Sequence, residues 1–108
     1  MAQVPDQIKA LIDLYIQKLE ENKIPIQQAW LFGSYAKGTQ NEWSDIDIAL
    51  VSEVFAGNRF DDRALVRPIT LSVSSDFEVH PFNPRDFVPE NPWVQEILQT
   101  AIRLKQAT

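Results

Sequence analysis

Cysteine is absent, glycine occurs three times, and histidine and methionine occur once each in the 108 residues. The absence of cysteine excludes a disulfide framework, a thiolate zinc site and a thiol nucleophile. No apolar run approaches the ~18–20 residues a membrane helix needs. The opening MAQVPDQIKA has neither the basic start nor the continuous apolar stretch of a secretory signal. A reducing cytoplasm is the expected location. Basic residues are also scarce: ten Lys and Arg against fifteen Asp and Glu leave a net charge of −5. Such a chain is a poor candidate for gripping nucleic acid by a broad basic face or for clinging to an anionic membrane. What it does have is 44% hydrophobic and 23% charged residues, the balance of a folded globular domain. Its length suits one domain over residues 1–108.

Ile8, Leu11, Ile12, Tyr15, Ile16 and Leu19 form one stripe at a 3.6-residue period, which predicts a first helix starting near Pro5 and Asp6. Glu20-Glu21-Asn22-Lys23 ends the pattern and Pro25 forbids its continuation. Ile26 to Phe32 reads as a short strand covered on both faces, interrupted by Gly33. Asp45 to Val51 reads as a second strand, with Ile46, Ile48 and Leu50 on one face and Asp45, Asp47 and Ala49 on the other.

Asn58 is a cap for a helix through Phe60, Ala64 and Leu65 that Pro68 bends or ends, with Arg59, Asp61, Asp62, Arg63 and Arg67 as its solvated face. A third strand, Asp76 to Phe82, sets Phe77 and Val79 against Asp76, Glu78 and His80. Pro81 to Pro92 holds four of the seven prolines and reads as a loop. Asn91-Pro92 then starts a last helix with Val94, Ile97, Leu98, Ala101, Ile102 and Leu104 on its inner side. Trp30 and Trp93 fall in apolar patterns and are read as core.

The chemistry concentrates in two stretches. In Ser44-Asp45-Ile46-Asp47 the two carboxylates project from one strand face, about 6–7 Å apart at the backbone. Like charges so placed raise each other's pKa unless a cation sits between them, and an oxygen-only donor set suits Mg²⁺. Upstream, Phe32-Gly33-Ser34-Tyr35-Ala36-Lys37-Gly38 runs from a strand through glycine into a helix start. There backbone amides and the Ser34 hydroxyl can meet phosphate, with the Lys37 charge nearby. The glycine spacings fit neither the Walker pattern nor the dinucleotide fingerprint. The third strand adds Glu78 or Asp76 on the same kind of face, and three carboxylates beside a phosphate cradle suit two-metal phosphoryl transfer. His80 is read first as a partly buried structural histidine, with contact to nucleotide or acceptor as the alternative. Trp43, in the polar loop before the aspartates, is a candidate for stacking on a base.

Gly33-Ser34, ten intervening residues and then Asp45-Ile46-Asp47, with Gly-Ser-x-Ala-x-Gly and Ser-Asp-Ile-Asp around them, resembles the signature of the minimal nucleotidyltransferases of the DNA polymerase beta superfamily. The resemblance implies an α+β (α/β) nucleotidyltransferase fold, a small mixed sheet flanked by helices in the order α-β-α-β-α-β-α. It further implies that Gly33, Ser34 and Lys37 hold a nucleoside triphosphate, and that Asp45, Asp47 and a third carboxylate bind two Mg²⁺ ions. Glu78 is preferred for the third and Asp76 held in reserve. Lys37 stands where many relatives carry Arg, keeping the charge without the planar fork. The implied activity is transfer of AMP from ATP to an acceptor hydroxyl. In a chain this short the expected acceptor lies on a partner protein, a small helical one of the HEPN type, with the pair acting as toxin and antitoxin. The competing reading is a non-catalytic nucleotide- or partner-binding module that keeps the metal site as a relic. Self-association is left open. An aspartyl phosphatase wants its Asp-x-Asp after an apolar strand, and a calcium loop wants oxygen ligands and glycine where Ala49 and Leu50 stand, so both are rejected.

Overall fold

Asp6–Glu21 forms the first helix, α1, in the computed structural model, which describes residues 4–106. The predicted stripe faces inward: Ile12, Tyr15, Ile16 and Leu19 are buried, and Ile8 and Leu11 pack against them from the rim. The Asn22 side chain donates to the Lys18 carbonyl at 2.7 Å. Lys23 takes φ 65° and the Ile24 amide returns to the Leu19 carbonyl at 2.9 Å, which closes the helix without glycine.

The remaining elements are β1 (Gln28–Phe32), α2 (Ser34–Lys37), β2 (Ile46–Val51), α3 (Arg59–Val73), β3 (Phe77–Phe82), α4 (Pro92–Thr100) and β4 (Ile102–Gln106). The four strands form one mixed sheet in the order β3-β2-β1-β4. β1 runs antiparallel to both neighbours, and β2 and β3 are parallel. The expected mixed sheet flanked by helices is present, with one strand more than expected. Among the described residues no helix is long and apolar enough to cross a membrane.

One face of the sheet carries the core. Ala29, Leu31, Ile46, Ile48, Leu50, Phe77 and Val79 alternate toward α1 and α3. Each large side chain removed from water there contributes about 1.5–3 kcal/mol. The other face carries Phe32, Asp47, Glu78 and His80, and α4 flanks it through Trp93.

Several expectations are corrected by this arrangement. The last helix stops at Thr100; Ala101 is extended (φ −69°, ψ 147°), and Ile102–Gln106 pairs with β1. Ile102 and Leu104 fit a two-residue period as well as a helical one, and the free edge of β1 decides between them by offering backbone partners. β1 is buried only at Ala29 and Leu31. Trp30 is therefore not core: it lies half-buried on the second face, donating to Gln28 Oε1 at 3.0 Å beneath the Arg103 guanidinium.

α3 continues through Pro68 to Val73 and buries none of Phe60, Ala64 and Leu65. Its inner face is Val66 and Thr70, with Ile69 and Val73 behind. Ala64 and Pro68 are exposed, so water can meet the carbonyl that the proline leaves without a donor. Asp62 belongs to no solvated face. It is buried and accepts from the Ala56 and Gly57 amides at 2.8 and 2.9 Å, tying the preceding loop to the helix.

Candidate active site

Strand register assembles the site. Phe32 pairs with Asp47, and Asp47 with Glu78, so one row crosses β1, β2 and β3 on the face opposite the core. Gly33 follows Phe32 at the end of that row with φ 73° and ψ −152°, a conformation reserved for glycine. A Cβ at Gly33 would overlap Asp47 Oδ2. The close approach thus needs glycine twice over, for the turn and for the space. The next residues form the single turn α2, whose first amides, those of Ser34 and Tyr35, have no helical acceptor.

Asp47 is half-buried, and its carboxyl pKa is raised above the ordinary Asp range. Burial is the main cause, followed by the charges of Glu78 and then Asp45. Asp45 is exposed just ahead of β2, and Asp76 is exposed just ahead of β3, where its carbonyl accepts from the Ile46 amide at 2.8 Å. Register therefore sets Glu78, and not Asp76, beside Asp47. Lys37 is exposed and shares a cleft of about 210 Å³ with Gly33, Phe32, Trp93 and Glu96. Trp43 stands 84% exposed in the loop before β2, its ring turned to solvent.

Three residues give the site a second layer. Arg63 reaches Glu78 Oε1 at 3.7 Å and Arg59 reaches His80 Nδ1 at 3.1 Å. Both extend from α3 round the free edge of β3 to the far face. His80 is buried, and its pKa is pushed down to about 4 by burial, with Arg59 and Arg63 adding to the effect. A guanidinium only donates, so Nδ1 of the neutral ring accepts and the proton resides on Nε2. That N–H faces Asp47 Oδ1 from 3.9 Å and has no hydrogen-bond partner among the described residues. Trp93 is not core either: 43% exposed, it lies 5.8 Å from the His80 ring with Arg59 over its face. Arg59, Arg63 and Trp93 were not expected here. The i, i+4 spacing of the two arginines is the one sequence signal that ties them to a common target.

By kind of donor, the acidic residues here suit a divalent ion. They offer oxygens only, from Asp47 on β2, Asp45 just ahead of it and Glu78 in register on β3, and positive charge would relieve the crowding at Asp47. Glycine also lets the backbone of the turn come directly against the Asp47 carboxylate. Among the described residues no three carboxylate or imidazole groups stand close enough together to enclose an ion, and Glu78 is turned to Arg63.

Comparison with known proteins finds similar chains in one family. Over 76 residues the chain is 37% identical to the protein adenylyltransferase MntA of Shewanella oneidensis, an alignment covering 59% of this chain and 52% of that one. It spans about half the length of the curated relatives it matches. A solved toxin–antitoxin structure with AMP-PNP contains a chain 28% identical, matched at a TM-score of 0.54 over 87% of this chain and 73% of that one. A toxin–antitoxin structure of MntA and HpeT shares the fold at a TM-score of 0.58 and 24% identity, over 98% of this chain and 76% of that one. The model of the nucleotidyltransferase domain matches residues 12–103, from the middle of α1 into β4. Matched by that model over most of its length, the chain belongs to the nucleotidyltransferase domain family.

Proposed function

We propose that the protein transfers AMP from ATP to a hydroxyl group on a partner protein, as the antitoxin of a toxin–antitoxin pair. The observation that carries this reading is the close approach of Gly33 to Asp47, in one row with Glu78. It sets the glycine turn directly against a carboxylate crowded by the charges of Glu78 and Asp45. MntA of Shewanella oneidensis bears the name protein adenylyltransferase, and a toxin–antitoxin relative was solved with AMP-PNP, which supports both the donor and the kind of partner. A small helical protein of the HEPN type is the partner implied by the sequence signature.

In this reading the Gly33–Ser34 turn and Lys37 hold the triphosphate, and Asp45, Asp47 and Glu78 are the residues that would hold Mg²⁺. A bound divalent ion supplies neutralisation of the charge that develops on the transferred and leaving phosphates. The acceptor oxygen bonds to the α-phosphorus as the bond to the β-phosphate oxygen breaks, and pyrophosphate leaves. Glu78 takes the hydroxyl proton. His80 faces Asp47 with its Nε2–H from 3.9 Å.

Asp45→Asn and Asp47→Asn should each reduce transfer of α-labelled ATP to the partner by at least about 10²-fold, the scale on which loss of transition-state charge stabilisation reads out. Binding to the partner should persist in both. A wild-type chain that binds no triphosphate in the presence of Mg²⁺ overturns the reading. Variants that keep the full biological effect favour the non-catalytic module instead.

A further inference from the structure

We propose that the groove between α3 and the free edge of β3 is a docking surface for an acidic protein segment bearing a bulky apolar side chain. The groove encloses about 680 Å³. Its floor is Val66, Phe77 and Val79, and its rim is Phe60 and Leu71. Phe60 is 83% exposed and Leu71 is exposed beyond half, so the rim leaves two large apolar groups in water at the mouth of an apolar trough. Scattered apolar residues on a surface need no explanation, but exposed apolar side chains flanking a shaped apolar floor mark a binding surface.

Charge identifies the occupant. The chain carries −5 overall, yet the residues lining this groove include Arg59, Arg63 and Arg67 and no carboxylate. The three sit at i, i+4 and i+8 of one helix, a spacing of like charges that weakens an isolated helix unless something negative is placed beside it. Glu78 takes one of them, Arg63, from the far side of the strand. Arg67 has no ion-pair partner among the described residues and is exposed. A segment with carboxylates for the arginines and an aromatic or aliphatic group for the trough completes both features.

A nucleotide is the weaker occupant, because Gly33 ends β1, two strands from this edge, and its turn meets the opposite face of the sheet. The groove instead borders the site at Glu78, since Arg59 and Arg63 line the one and reach into the other. The docking surface does not rest on the transfer reading above.

The test is binding of a glutamate–tyrosine random copolymer by fluorescence anisotropy, with a lysine–tyrosine copolymer as the charge-reversed control. Phe60→Ser and Arg67→Glu serve as variants, because both side chains are exposed and neither touches the acidic row. Wild type should bind the acidic copolymer and not the basic one. Each variant should weaken that binding by about tenfold, as loss of a central aromatic or charge contact does, with Mg²⁺-dependent ATP binding unchanged. No binding of the acidic copolymer, equal binding of both, or unaltered binding by the variants overturns the proposal. Displacement of the copolymer by ATP, with weaker ATP binding in Phe60→Ser, assigns the groove to nucleotide and also overturns it. So does a change in the sedimentation of Phe60→Ser with copolymer binding intact, which assigns the groove to a second copy. If ATP binding is absent while copolymer binding responds to both variants, the docking surface stands and the transfer reading falls.

Discussion

At Gly33 one missing methyl group decides whether the acidic row and the glycine turn can share a corner. The residue has φ 73° and ψ −152°, and an added Cβ would overlap Asp47 Oδ2. Gly33→Ala should therefore cost about 1–3 kcal/mol of stability, the range for a non-glycine residue held in such a conformation, and should also displace the Asp47 carboxylate. Urea denaturation measures the first effect and Mg²⁺-dependent ATP binding the second; wild-type values in both would show that the turn relaxes freely. Asp62 makes the contrasting point about what single residues disclose. Its neighbours in sequence are charged, so it reads as solvated, yet the Ala56 and Gly57 amides sequester it. Backbone amides of a loop leave no mark in composition. His80 is similar: its role is set by Arg59 and Asp47, which lie 21 and 33 positions away in the chain.

Elements with strong local patterns are the ones the sequence discloses. α1 shows its apolar stripe, and β2 and β3 show alternation interrupted by acids. The turn at Gly33 and the pair Asp45 and Asp47 lie within fifteen residues of each other, so spacing alone links them. Glu78 was preferred over Asp76 from alternation within β3, and the parallel pairing with β2 sets it beside Asp47. β4 and the reach of α3 were illegible for a common reason: both depend on sheet edges, which exist only once strand order is settled. The open edge of β1 recruits Ile102–Gln106, and the open edge of β3 is crossed by Arg59 and Arg63.

The persistence of α3 through Pro68 is a tertiary effect of the same kind. Val66, Ile69, Thr70 and Val73 anchor the helix on both sides of the proline. A mid-helix proline costs about 3 kcal/mol, part of which is returned by a stiffer unfolded chain. Pro68→Ala should thus raise the unfolding free energy by about 1–2 kcal/mol, seen as a higher urea midpoint at unchanged slope. A lower midpoint would mean that the proline shapes α3 for its packing on β3.

Across the whole molecule, the sheet separates two jobs. The core lies between one face and the helices α1 and α3, while the acidic row occupies the other, so charge crowding at the site does not burden the apolar packing. Tyr15 is where the core side is most tightly joined. Its hydroxyl lies 2.6 Å from Thr70 Oγ1 on α3, and its ring stacks on Phe77 of β3 at 4.9 Å. Burial pushes its pKa up to about 12, against a smaller opposing effect of the Thr70 hydrogen bond. The unfolded chain releases this proton near pH 10, whereas the folded chain keeps it until about 12. Between those values the unfolded state binds fewer protons, so stability falls as pH rises. The contribution is intact below pH 10 and about 2–3 kcal/mol smaller by pH 12, at 1.4 kcal/mol per unit. Tyr15→Phe isolates it, because Thr70 still donates to the Val66 carbonyl at 2.9 Å and no buried donor is orphaned. Urea unfolding free energies measured from pH 8 to 12 should decline more steeply for wild type than for Tyr15→Phe, with the curves diverging only above pH 10. Parallel curves would show that the hydroxyl reaches water at high pH and that the α1–α3 junction opens before it ionises.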